Sequence, residues 1–248
     1  MFFVSFVVVC NLPGFAETGL LKLKFMKIHK LPWPGETQEA IALQKELSQR
    51  LILTGDIKDA ELIAGVDCSS YGNTGLMVGA VVVWNRSENR IVDSSTSVRE
   101  ADFPYIPGLL AFREIPVLLD AFRKLNTIPD AVICDGQGLA HMRRFGIACH
   151  LGLYINIPTV GCGKTRLVGT FDMPGEKKSS ISDLHYKGEL FGKVVRTRDG
   201  VNPVFVSPGH RIGFDDAVDL VLTSCTRYRL PEPIRAAHKL AGEEIKAL

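Results

Sequence analysis

Three acids in this chain stand where acids are costly. Asp67 ends the apolar run Leu62-Ile63-Ala64-Gly65-Val66, Asp135 ends Ala131-Val132-Ile133-Cys134, and Glu114 lies within the apolar segment from Leu109 to Phe122. A carboxylate flanked by residues that favour burial is expensive unless it is paired or bound to a cation. Taken singly, each is more often a helix cap or a surface ion pair. As a set, if the two strands are sheet neighbours, their carboxylates can converge on one divalent ion, with Glu114 on the intervening helix as a third. Hard oxygen ligands select Mg²⁺ or Mn²⁺ over Zn²⁺. From Gly136 to Thr170 there is no Asp or Glu, while Arg143, Arg144, Lys164 and Arg166 occur there with His141 and His150. Such a stretch beside a metal carboxylate predicts an anion-binding surface suited to a phosphodiester backbone. Metal plus polyanion is the chemistry of a nuclease. Gly161-Cys162-Gly163-Lys164-Thr165 imitates the end of a nucleotide-binding P-loop, but Pro158 stands where that loop needs its first glycine. Lys164 is therefore expected to act singly, as a point charge on a scissile phosphate.

The elements that must position these groups are readable from periodicity. Thr37 is expected to cap a helix over residues 37–53, followed by β-like runs at 62–68, 75–84 and 90–98 that form an antiparallel meander. A helix carrying Pro116 follows from Leu109 to Asn126. Then a short strand at 131–135, a helix at 141–153 and a strand at 159–162 give a β-α-β rhythm, which implies parallel pairing. Residues 175–202 are polar and Gly-rich with weak strand candidates at 188–196 and 203–207, and helices are expected at 214–226 and 232–247. The result is an α/β fold with a mixed sheet, a meander plus parallel strands, flanked by helices. Cys68 and Cys134 each neighbour a site acid, so they should face the opposite side of the sheet as buried thiols.

Composition bounds the class. The 248 residues carry 29 Lys and Arg against 27 Asp and Glu, a net charge of +2, and 46% are hydrophobic, which excludes disorder and any bulk polycation. Six cysteines at 10, 68, 134, 149, 162 and 225 contain no Cys-x-x-Cys pair, as expected of reduced thiols in the cytoplasm rather than a disulfide scaffold. Residues 2–10, FFVSFVVVC, have signal-peptide length, with Gly14-Phe15-Ala16 as a small-x-small site, but the basic flank is missing. The run is far short of the roughly 20 apolar residues of a membrane span. Met26 opens ordinary charged, amphipathic text, so residues 1–25 read as an appendage or a mis-assigned start and residues 26–248 as one catalytic domain; a mature end near Glu17 would instead favour export.

Pro104-Tyr105-Ile106-Pro107-Gly108-Leu109-Leu110-Ala111-Phe112-Arg113-Glu114, then Asp135-Gly136-Gln137-Gly138 with His141, then Phe145-Gly146, Pro158-Thr159-Val160-Gly161 and Lys164 resemble the endonuclease V (deoxyinosine 3′-endonuclease) family. The match runs from about Met26 to the C-terminus, and its several long motifs in order make it specific. The resemblance implies a ribonuclease H-like fold and metal-dependent cleavage, with Mg²⁺ or Mn²⁺, of the second phosphodiester bond 3′ to a deaminated purine in DNA. It implies Asp67, Asp135, Glu114 and His210 as metal-site residues, His141 as a site-proximal histidine and Lys164 as the catalytic lysine. It also makes Tyr105 a wedge in a Pro-stiffened turn built of Pro104, Ile106, Pro107 and Gly108, entering where the damaged base leaves the stack. Gly136 and Gly138 would pass close to the flipped base, and Arg143 and Arg144 would meet the backbone. The chain departs from the family in having Met142 where Pro is usual, Asn156 where Asp is common and Gly163 where Ala is common. The expected acting unit is a monomer with no membrane partner. Inosine-containing RNA is the alternative substrate within the same chemistry, and a catalytically silent nucleic-acid-binding module is the alternative outside it.

Overall fold

The computed structural model describes residues 26–71 and 75–248; the expectations for residues 1–25 lie outside the described residues. In chain order these form α1 (Thr37–Ser48), β1 (Leu62–Ser70), β2 (Leu76–Asn85), β3 (Arg90–Glu100), α2 (Ala111–Phe122), β4 (Ala131–Cys134), α3 (Ile147–Ile155), β5 (Thr159–Gly163), β6 (Ile181–Tyr186), β7 (Glu189–Val195), β8 (Val204–His210), α4 (Phe214–Thr223) and α5 (Glu232–Ala247). The strands make one eight-stranded sheet in the order β3-β2-β1-β4-β5-β8-β7-β6. β1, β4 and β5 are parallel neighbours, each joined to the next through helical crossover text, while β3-β2-β1 is the expected meander. β8 returns antiparallel beside β5 and carries β7 and β6 outward.

Strand alternation sorts the core into two layers. Ile63, Ala131, Ile133 and Val160 pack with Ala217, Val218 and Ile234 under α4 and α5. Ala64, Val66, Val132 and Cys134 pack with Ile115, Leu118, Ala148 and Leu151 under α2 and α3. By this parity Asp67 belongs to the α5 face and Cys68 to the α2 face, where Cys68 is half-buried and Cys134 fully buried. A third layer sets Ala40, Leu43 and Leu47 of α1 against Phe112, Phe145 and Leu153. Each fully buried Val, Leu, Ile or Phe among them contributes about 1.5–3 kcal/mol relative to exposure.

Several boundaries differ from the sequence expectation. Glu36, not Thr37, occupies the N-cap of α1 and no side chain caps it. α1 ends at Ser48 because the following chain is drawn off to β8, where Arg211 donates its N–H to the Ile52 carbonyl. α3 begins at Ile147 rather than near 141, since Arg144 takes a left-handed conformation, φ +54°, that a right-handed helix cannot pass through. β6 was hidden by its polar text: it is an exposed edge strand whose only fully buried side chain is Leu184. α2 runs through Pro116, and among the described residues no helix is long and apolar enough to cross a membrane.

Candidate active site

Parallel pairing of β1 and β4 aligns Val66 with Cys134, so the next residues, Asp67 and Asp135, emerge together at the same end of the sheet. Lys164 follows directly from β5, the next parallel strand, and its Nζ is ion-paired with Asp135 Oδ2 at 2.5 Å. Glu114 enters from α2 in the opposite helix layer. The two aspartates are largely screened from solvent, with side chains 12% exposed. Burial pushes the Asp67 carboxyl up, its hydrogen bond with His238 pulls it back, and the Asp135 charge raises it again. Glu114 is pushed up to about 8, first by burial and then by the charges of Asp67 and Asp135. Asp67 thus feels the like charge of Asp135, and Glu114 the charges of both aspartates.

His238 was not foreseen from sequence. It lies on α5, one turn after Ile234 on the helix face that covers β1, and its Nδ1 stands 2.9 Å from Asp67 Oδ2. A histidine on an amphipathic helix carries no local signal; only the packing of α5 across β1 brings it to the site. His210 is the corresponding correction. It ends β8 opposite Thr159, the first residue of β5, and β8 runs antiparallel to β5. His210 therefore sits at the other end of the strands from Asp135 and Lys164. Its Nδ1 accepts the Ile52 N–H at 3.3 Å and its Nε2 faces Asn156 Oδ1 at 3.3 Å, a structural tie rather than a place in the acidic cluster. Burial lowers its pKa to about 4, so the ring is neutral.

A cavity of ≈ 280 Å³ opens beside the acids, walled by Tyr105, Ile106, Pro107, Gly108, Gly136 and His141 and floored by Glu114 and Asp135. That is near the lower bound of about 300 Å³ for small-ligand pockets. Tyr105 is 71% exposed at its rim, beside Pro104. Gly138 is not among the walls. Its close approach is to β8: a Cβ there would lie 2.1 Å from the Pro208 carbonyl oxygen. Part of the expected basic surface is committed to contacts within the protein. Arg143 donates to the Gly108 carbonyl at 2.7 Å, Arg144 pairs with Glu189 and lies over the Phe191 ring, and His141 and His150 are buried and neutral, lowered to about 4 and about 3. Lys164 and Arg166 remain exposed.

Among the described residues, no group of three or more His, Cys, Asp or Glu side chains is already gathered closely enough to hold a metal ion. The chemistry of the donor set nonetheless fits a hard divalent cation. Asp67, Asp135 and Glu114 offer only oxygen, and their mutual repulsion is what such a charge would relieve.

A sequence model of the Endonuclease V family matches residues 45–239. The chain is similar to Endonuclease V of Dehalococcoides mccartyi, 45% identical over 225 residues that cover 91% of this chain and 100% of that protein. It is similar in structure to Endonuclease V of Streptomyces avermitilis, with TM-score 0.84, 40% identity, and coverage of 87% of this chain and 95% of that one. Endonuclease V of Ciona intestinalis, crystallised with a 24mer DNA containing an inosine followed by a ribo-adenosine, has TM-score 0.75 and 29% identity and covers 85% of this chain and 98% of that one. With the fold, the acidic strand ends and these likenesses in agreement, the chain belongs to the endonuclease V family.

Proposed function

We propose that the chain is a repair endonuclease that recognises deoxyinosine in DNA and hydrolyses the second phosphodiester bond 3′ to it, leaving a 3′-hydroxyl and a 5′-phosphate. The observation that carries this reading is the junction of the three carboxylates with a base-sized pocket whose rim presents Tyr105. Asp67, Asp135 and Glu114 would hold Mg²⁺, with Mn²⁺ as a substitute. Bound there, the cation supplies Lewis-acid polarisation of the phosphate and acidifies water.

The remaining work falls to the chain's own groups. Lys164, held by Asp135, faces the charge that develops on the phosphate. His238 donates Nδ1–H to Asp67, which leaves Nε2 as an oriented base to accept or return the proton of the attacking water. Tyr105 occupies the gap left by the extruded base, and Gly108 and Gly136 let the backbone approach it. His141, neutral, walls the pocket and donates to the Gly108 carbonyl.

Residues 26–248 form the catalytic domain in this reading, working as a monomer in the cytoplasm, where the five described free thiols would stay reduced. The test uses labelled inosine-bearing DNA and RNA strands with Mg²⁺ or EDTA, on wild type and Asp67→Ala. Mg²⁺-dependent nicking of the DNA by wild type alone supports the proposal. No nicking of either strand refutes it, and cleavage of RNA only transfers the activity to inosine-containing RNA.

A further inference from the structure

Three side-chain donors converge on one backbone oxygen beneath the pocket rim. The Gly108 carbonyl accepts from Arg143 Nη2 at 2.7 Å, His141 Nε2 at 3.0 Å and Gln44 Nε2 at 3.1 Å. A carbonyl oxygen has two lone pairs, so three donors fix it more tightly than its own satisfaction requires. The donors are tied to one another. Gln44 Oε1 accepts Arg143 Nε at 2.5 Å, and His141 Nδ1 accepts the Arg143 N–H at 3.3 Å, which leaves His141 Nε2 as the protonated, donating nitrogen. Gln44 also reaches the carbonyl of Phe145, another pocket wall, at 3.4 Å.

What they hold is a glycine at φ +80°, a conformation that L side chains rarely adopt, at the end of the segment that carries Tyr105. A Cβ on Gly108 would lie 2.8 Å from Arg143 Nη2. Gln44 itself is 1% exposed on α1, a helix that contributes no group to the acidic cluster, and it stands just outside the segment matched by the family model.

We infer that Gln44, through Arg143 and the Gly108 carbonyl, is a positioning residue that sets the Pro104–Gly108 rim for discrimination of the base. The inference rests on the reading of this pocket as the seat of a deaminated base. It also reassigns Arg143 from a phosphate contact to an internal clamp.

The test compares wild type, Gln44→Met, which keeps length without hydrogen bonds, and Gln44→Glu, which keeps an acceptor for Arg143. Cleavage of inosine-bearing and matched adenine-bearing DNA is measured as separate kcat and KM, alongside thermal unfolding. Binding is followed without metal by the fluorescence of a 2-aminopurine placed next to the inosine. Gln44→Met should lower the inosine-over-adenine ratio of kcat/KM about tenfold, the scale of a lost charge-assisted hydrogen bond, with kcat at saturation within about twofold of wild type. It should also weaken the 2-aminopurine signal, and Gln44→Glu, which keeps the Arg143 link but sets an oxygen against the Gly108 and Phe145 carbonyls, should recover only part of the ratio. A folded Gln44→Met with wild-type discrimination overturns the inference, as does equal loss in both variants. Should Gln44→Met fail to fold, Arg143→Lys, which loses the fork joining Gln44 to Gly108, must show the same KM-borne loss or the clamp is refuted. Wild type showing no preference for inosine would instead overturn the reading of the pocket, and the clamp's purpose with it.

Discussion

Glu114→Gln should make the metal-free protein more stable at pH 8 than wild type while abolishing cleavage, and the size of the gain follows from the site. Burial and the charges of Asp67 and Asp135 hold the Glu114 carboxyl at about 8 against an ordinary 4.5. Between those values the unfolded chain has released its proton and the folded chain retains it, so wild-type stability falls as pH rises from 4.5 to 8 and then levels. At about 1.4 kcal/mol for each pH unit, the sealed limit is roughly 5 kcal/mol. Glu114 is half-buried rather than sealed, which brings the expectation to about 3 kcal/mol. For a chain of this size that is roughly 6–12 °C in Tm. The assay is thermal unfolding of both proteins in EDTA at pH 5 and pH 8, repeated with Mg²⁺. The two should coincide near pH 5 and separate at pH 8 with the variant higher, and Mg²⁺ should raise wild type more than the variant. Equal stability at both pH values, or a variant that is less stable at pH 8, would refute the argument that burial and the two aspartates hold Glu114 protonated.

Tyr105→Ala should leave stability within about 0.5 kcal/mol of wild type, because the ring is 71% exposed, while lowering preference for inosine over undamaged DNA; unchanged preference in a cleavage competition removes the wedge role. His210→Ala should cost about 2 kcal/mol in denaturant unfolding, since it strands the Ile52 N–H, yet keep kcat within about twofold at a permissive temperature; a hundredfold loss of kcat would return His210 to the reaction. His150 is fully buried among Trp33, Phe112, Phe145 and Tyr154, and neither ring nitrogen has a hydrogen-bond partner among the described residues. Its pKa is lowered to about 3, so wild type loses stability as pH falls below 6.5, where the unfolded ring protonates first. His150→Phe should raise Tm at neutral pH and flatten that acid limb; a lower Tm at both pH 7 and pH 5 would show that packing outweighs the unpaired nitrogens.

Legibility in the sequence tracks how local the cause is. Asp67 and Asp135 were visible because each breaks an apolar strand, and Glu114 because it is the one carboxylate between Leu109 and Leu119. Parity placed Cys68 and Cys134 on the face opposite Asp67 and Asp135, since alternation is a property of the strand itself. The two histidines failed for a common reason. His210 after Pro208-Gly209 reads as a turn residue, and only the resemblance put it at the metal site; its location depends on β8 running against β5, a pairing between segments that local text does not encode. His238 depends on α5 crossing β1, which is equally remote. β6 and the late start of α3 were hidden by exposure and by one left-handed residue, neither of which leaves a hydrophobic signature.

Charge counting misled in a similar way, and the structure shows why. The acid-free stretch from Gly136 to Thr170 looked like a surface for phosphates, yet Arg143 is committed to Gly108, Arg144 to Glu189 and Phe191, and two histidines are neutral by burial. The cation that does meet the acidic centre, Lys164, is supplied by the end of β5 next to Asp135. Of the basic groups in this stretch, Lys164 and Arg166 stay exposed, and under the proposed function Lys164 is the one placed to meet the reacting phosphate. A net charge of only +2 offers little bulk attraction for a polyanion, so the proposed selectivity would rest on the fit of the pocket.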